Sequence, residues 1–244
     1  MAGEDGIMFT ADSLGVSFRD REVLKAATVW AKAGQITVLL GRNGCGKTTL
    51  IRSALGLCRL DYGVVRFAER VYERPRLPTL ARRGLFYLPD RGLLSWRRTV
   101  DWHFRTMSQS VRHPLDLESI AWLDIEPLRR KTAKKASGGE RRRVEVGLAL
   151  LRRPSCLLAD EPLAEVSPAD RQRVAQGIRE LAGHGCAVLV TGHEVDDLLD
   201  LADIVVWMVG GTTHWLGTPA EARSHAQFRL DYLGPDGAVS GSGG

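Results

Sequence analysis

Lys47 and Thr48 close the run Gly41-Arg42-Asn43-Gly44-Cys45-Gly46-Lys47-Thr48-Thr49, in which three glycines precede a lysine and two hydroxyls. Glycines let a backbone curl until successive N–H groups face one anion, and a helix starting there adds the positive end of its dipole. Lys47 then reaches the β- and γ-phosphates of a nucleoside triphosphate, and the Thr48 hydroxyl ligates Mg2+. The apolar run Ile36–Leu40 before the loop predicts a strand, and Leu50–Leu55 after it predicts a helix, which is the context such a loop requires. Gly41, Asn43, Gly44, Cys45, Gly46, Lys47, Thr48 and Thr49 are the nucleotide-binding candidates. Cys45, at the helix N-terminus and near Lys47, is expected to favour its thiolate.

Two further runs carry chemistry. Leu157-Leu158-Ala159-Asp160-Glu161-Pro162 is an apolar strand ending in two carboxylates. Side chains alternate along a strand, so Asp160 can face a magnesium ion while Glu161 points toward water beside the γ-phosphate. Ser137-Gly138-Gly139-Glu140 opens a predicted helix over Gly138–Leu151 that Pro154 stops, and its hydroxyl and glycines at a helix N-terminus suit a second anion.

The elements that must hold these groups follow from the hydrophobic pattern. Ile36–Leu40, Leu85–Leu88, Cys156–Ala159, Ala187–Val190 and Ile204–Met208 read as buried strands separated by amphipathic segments, the rhythm of an α/β protein with a mainly parallel sheet. Residues 8–29 alternate as antiparallel strands do. Helices are predicted over Pro168–Ala182, capped by Ser167, and over Glu194–Leu201. The stretch 91–136 reads as helical and basic, and the Gly- and Ser-rich residues 235–244 as a disordered tail. The triplets Arg129-Arg130-Lys131 and Arg141-Arg142-Arg143 read as solvated helix faces, and Trp102 as a core residue.

The chain has 244 residues, 44% hydrophobic and 26% charged, with a net charge of +5. Its arginines are spread along the sequence, which argues against a nucleic-acid surface. No apolar run approaches the ~20 residues that cross a bilayer, and Met1–Gly6 lacks the design of a signal peptide. The expected location is cytoplasmic unless a partner holds the chain at a membrane. Cys58, Cys156 and Cys186 show no metal-ligand or disulfide spacing and read as small core residues.

In order, the Gly41–Thr49 loop, Ala136-Ser137-Gly138-Gly139-Glu140, Asp160-Glu161-Pro162 and the lone His193 after the strand at 187–190 resemble the nucleotide-binding subunit of ATP-binding cassette (ABC) transporters, over roughly residues 9–217. The resemblance implies a P-loop NTPase (RecA-like) core with an antiparallel β-subdomain and an inserted α-helical subdomain. It places the ATPase domain at 7–234 with the insertion at about 91–140. It implies ATP and Mg2+ as cofactors, Lys47, Glu161 and His193 as catalytic groups, and Thr48, Asp160 and Asp90 as metal contacts. Glu161 would polarise the attacking water, His193 would clamp the γ-phosphate, and Phe18 would stack on adenine. Two subunits, alike or unlike, would face head to tail, so that Ser137, Gly138 and Gly139 of one close on ATP held by the other. A transmembrane permease would be the membrane contact, docking near Leu93–Trp102 at the inner face of the cell membrane.

Three positions depart from that family's pattern. Asp90 stands where the family has glutamine, Ser167 where it usually has aspartate, and Ala136 where it has leucine. The compact ending at 217–234 is similar to branched-chain amino-acid importer and lipopolysaccharide exporter subunits. A soluble ABC ATPase of the iron–sulfur assembly kind, or a low-turnover nucleotide-gated binding subunit, stays open at this level.

Overall fold

The computed structural model describes residues 6–19, 21–111 and 116–233; the expected tail at 235–244 lies outside them. Four strands, β1 (Ile7–Phe18), β2 (Arg21–Lys32), β4 (Tyr62–Phe67) and β5 (Arg70–Tyr72), form an antiparallel sheet in the order β2-β1-β4-β5. The alternation at 8–29 becomes the β1–β2 hairpin. A second sheet, ordered β10-β9-β3-β8-β7-β6, contains β3 (Ile36–Leu40), β6 (Leu85–Leu88), β7 (Cys156–Ala159), β8 (Ala187–Gly192), β9 (Ile204–Val209) and β10 (Thr212–Gly217). Its strands are parallel except for β10 at one edge.

The predicted strands are nearly continuous apolar runs because both faces of the parallel sheet are covered. Val38, Leu157, Val188 and Val205 belong to a core shared with helices, whereas Leu39, Leu158, Leu189 and Val206 face the antiparallel sheet and helix α1 (Lys47–Ala54). Helix α2 (Leu77–Arg82) precedes β6. Helices α3 (Val100–Val111), α4 (Gly138–Arg152) and α5 (Pro168–Gly183) contribute to the first core, with α6 (Val195–Leu201) and α7 (Pro219–Ser224) completing it, and α8 (Ala226–Phe228) follows. The parallel strands β3, β6, β7 and β8 all end at one edge, where Leu40 pairs with Gly192 and Leu88 with Ala159. That edge is where open α/β sheets bind ligands.

The stretch 91–136 is less helical than expected. Only α3 is a full helix; the rest of its described residues form short 3-10 turns at Ala121–Leu123, Glu126–Leu128 and Ala133–Lys135. Pro127 and the left-handed Asp124 (φ 52°) break the chain there. Trp102 is not core: it is 40% exposed, because Val100 and Phe104 bury the other face of α3. Residue 102 is out of phase with that i,i+4 pair, and Arg98 covers its ring at 5.0 Å.

The triplet at 141–143 also departs from expectation, since Arg142 and Arg143 are buried. Arg142 pairs with Glu145 at 2.9 Å, and Arg143 lies 2.8 Å from Asp170 and 3.2 Å from Asp124. Their acidic partners make burial tolerable. Cys156 and Cys186 are buried as expected, Cys58 only partly.

Candidate functional site

The phosphate loop leaves the fully buried β3 at Gly41 and enters α1 at Lys47. A side-chain carbon at Gly41 would lie 2.8 Å from the Met208 carbonyl, and Gly46 adopts φ 118° as the N-cap, so both positions need glycine. No side chain caps α1 and no acid lies in its first turn, which leaves its N–H groups directed at whatever anion enters. The Lys47 ammonium is buried and donates to the Gly41 carbonyl at 2.7 Å, with Glu161 Oε1 3.5 Å away. Burial pushes the Cys45 thiol up, and the opposing pull of Lys47 is smaller, which runs against the expected lean toward thiolate.

Asp160 follows the last residue of β7 and is fully buried. Its Oδ1 accepts from Thr48 Oγ1 at 3.1 Å and from Thr191 Oγ1 at 2.7 Å, while Oδ2 is buried without a protein partner. Desolvation raises this carboxyl, and the two hydroxyl bonds pull it back. Glu161 takes a left-handed backbone (φ 49°), and its N–H donates to the same Thr191 oxygen at 3.1 Å. That turn aims one oxygen at Lys47 and the other at His193 Nδ1, 3.3 Å away without hydrogen-bond alignment. The five groups expected to act together thus meet. Thr191, inside β8, was not anticipated; its signal was a hydroxyl in an otherwise apolar strand two residues before His193.

Asn43, Thr48, Asp90, Glu161 and His193 line one cleft of about 720 Å³, whose other wall includes Gly138, Arg141 and Glu165. The loop carrying Asp90 is clamped to α4. Arg142 donates to the Pro89 and Asp90 carbonyls at 3.0 and 2.9 Å, and Glu145 accepts from the Leu93 N–H at 2.6 Å. Burial pushes the Glu145 carboxyl up, against the pull of Arg142. Nothing in the sequence alone pointed to this clamp.

Ser137 caps α4 through a capping box: its Oγ accepts from Glu140 N–H at 3.1 Å, and Glu140 accepts from Ser137 N–H at 2.8 Å. Gly139 is required because a side-chain carbon there would overlap the Asp170 carboxylate. Asp170 also accepts from the Ser167 hydroxyl at 2.8 Å, and Ser167 caps α5 as expected. Among the described residues no hydrogen bond or ion pair joins Ser137–Gly139 to the Gly41–Thr49 loop. Phe18 is 50% exposed at the end of β1, away from the cleft lining. Trp96 is 57% exposed, with the Arg141 guanidinium 5.3 Å from its ring.

A family model for "ABC transporter" matches residues 24–164. The lipopolysaccharide export system ATP-binding protein LptB of Haemophilus influenzae is 33% identical over 236 residues, covering 93% of this chain and 97% of that protein. The Escherichia coli K12 protein of the same name is 32% identical over 235 residues, with the same coverage. Among solved structures, an ATP-binding subunit of an ABC transporter superposes with a TM-score of 0.78 at 22% identity, covering 92% of this chain and 96% of that one. An ATP-bound bacterial Atm1-family ABC exporter superposes with a TM-score of 0.76 at 19% identity, covering 93% of this chain and 41% of that one.

Proposed function

Because this chain belongs to the ABC transporter family, as an ATP-binding subunit that hydrolyses ATP to energise transport, we propose how its own residues divide that work. The convergence of Lys47, Thr48, Asp160, Glu161 and His193 at one strand edge carries the reading. The loop N–H groups and Lys47 hold the β- and γ-phosphates, and Phe18 offers its exposed ring to the base. Asp160 Oδ2, buried and unpartnered beside the Thr48 hydroxyl, is the kind of hard-oxygen donor that Mg2+ selects, and Asp90 lines the same cleft. Bound there, Mg2+ would neutralise charge on the phosphate oxygens.

Glu161 orients the attacking water and accepts its proton. His193 steadies that carboxylate and meets the γ-phosphate. Lys47, now on the Gly41 carbonyl, turns to the triphosphate, which frees Glu161 for water. The capped turn Ser137–Gly139 presents a helix N-terminus to ATP held by a second subunit, so that closure needs two copies. Residues 7–234 act as one ATPase domain with the 91–140 segment inserted.

Relatives of this kind work with membrane permeases, and no helix among the described residues is long and apolar enough to cross a membrane. The permease docks where Leu93 and Trp96 lie exposed beside the half-buried Arg141, which would hold the subunit at the inner membrane face. The lipopolysaccharide exporters among the relatives support an amphipathic lipid as cargo. Steady-state hydrolysis and light scattering test the site. Glu161→Gln should cut turnover about a hundredfold or more while trapping a dimer on Mg-ATP. A variant as fast as wild type would remove Glu161 from the chemistry.

A further inference from the structure

The far end of the described chain returns to the phosphate loop. Arg42, the second residue of the loop, donates from Nη2 to the Asp231 carbonyl at 2.9 Å, a contact 189 residues apart in sequence. The same guanidinium lies 5.9 Å from the centroid of the Tyr232 ring. Both partners belong to one irregular turn, Arg229–Leu233. That turn is anchored by aromatic packing: Tyr232 stacks on the fully buried Phe228 at 5.2 Å and meets Trp207 edge-on at 6.5 Å. Trp207 in turn pairs with Leu40, the last residue before the loop.

The loop is therefore fixed from two sides. Met208 packs against Gly41 and Gly46 from the sheet, and Lys47 holds the Gly41 carbonyl from within. Arg42 supplies a further tie, to an element that otherwise touches neither the carboxylates nor the signature turn at Ser137–Gly139. A loop whose N–H groups must converge on one anion gains affinity when its curl is set beforehand, because less ordering remains for binding.

We propose that Arg42 is a positioning residue for triphosphate binding and that the turn Arg229–Leu233 is the clasp that holds it. The proposal rests on the reading of Gly41–Thr49 as the ATP loop. The clasp keeps the guanidinium out of the cleft and sets the loop's curl, so nucleotide affinity depends on a ring outside the site.

A double-mutant cycle on Mg-ATP affinity, with thermal unfolding recorded on each variant, tests it. Arg42→Ala and Tyr232→Leu should each raise Kd about fivefold, the worth of one exposed cation–π or hydrogen-bond contact. The double variant should be no weaker than either single, since both remove the same tie. Tyr232→Phe, which keeps the ring face but gives up the hydroxyl's contacts with the Arg42 backbone and Trp207, should bind between wild type and Tyr232→Leu. Three results overturn the clasp: Arg42→Ala binding as wild type, Tyr232→Leu lowering the melting temperature with Kd unchanged, or a double loss equal to the product of the singles. Should Tyr232→Leu fail to fold, a Tyr232→Phe loss as large as that of Arg42→Ala also overturns it, and a Tyr232→Phe loss smaller than that of Arg42→Ala sustains it. A wild type that binds no Mg-ATP would instead sink the reading of the loop.

Discussion

Thr191 serves two carboxylate residues with one hydroxyl, donating to Asp160 Oδ1 and accepting from the Glu161 N–H. Thr191→Val would leave that N–H unpaired and release the left-handed turn at Glu161. The expected outcome is a loss of about 1–3 kcal/mol in unfolding free energy and a fall in hydrolysis larger than any change in Mg-ATP affinity, checked by denaturant melts and steady-state kinetics. Lys47, Asp160 and Glu161 could be singled out from the sequence because they close a glycine loop or end an apolar strand, where side chains leave the sheet, whereas His193 was singled out only by the order of the motifs. Thr191 was hidden within such a strand. Arg143 was misread because the acids that neutralise it, Asp124 and Asp170, have no local pattern tying them to it, and Arg142 because its i,i+3 partner Glu145 is buried along with it.

Among the elements, α3 shows how far periodicity carries. Its Val100–Phe104 stripe is visible in the sequence, yet the broken chain around it depends on Pro127 and on a left-handed Asp124. The start of α3 is tied down by Asp101, which accepts from Arg129 Nε at 2.9 Å across 28 residues. Bonds from Arg129, and then Arg105, hold the Asp101 carboxyl below the usual carboxylate range. A lowered pKa contributes stability above the unfolded value and loses it as pH falls through the folded one. Asp101→Asn should therefore unfold more easily than wild type at neutral pH, by about 1 kcal/mol after solvent screening. The two should converge as pH falls below the ordinary aspartate range, which urea titrations across pH would reveal.

At the scale of the whole molecule, a parallel-sheet core and an antiparallel β-subdomain were expected, and what escaped prediction was how they are joined. The Trp30–Trp215 stack, 4.3 Å between ring centroids, links β2 to β10 across the sheets. The exposed face at Leu93 and Trp96 has its own expected outcome: Trp96→Ala should lose the permease on co-purification, and intact co-purification would count against docking there. Helix α4 connects that face to the signature turn. Its first turn carries Ser137–Gly139, and its next turns grip the chain at Pro89, Asp90 and Leu93 through Arg142 and Glu145. From Ser137 to Glu145 the two grips together span only about 12 Å of one continuous rod. With no slack joint between them, a load applied at the tryptophan would arrive at the glycines nearly undiminished and unamplified. The subunit would then work as a short, stiff lever whose stroke at the membrane equals its stroke at the phosphate.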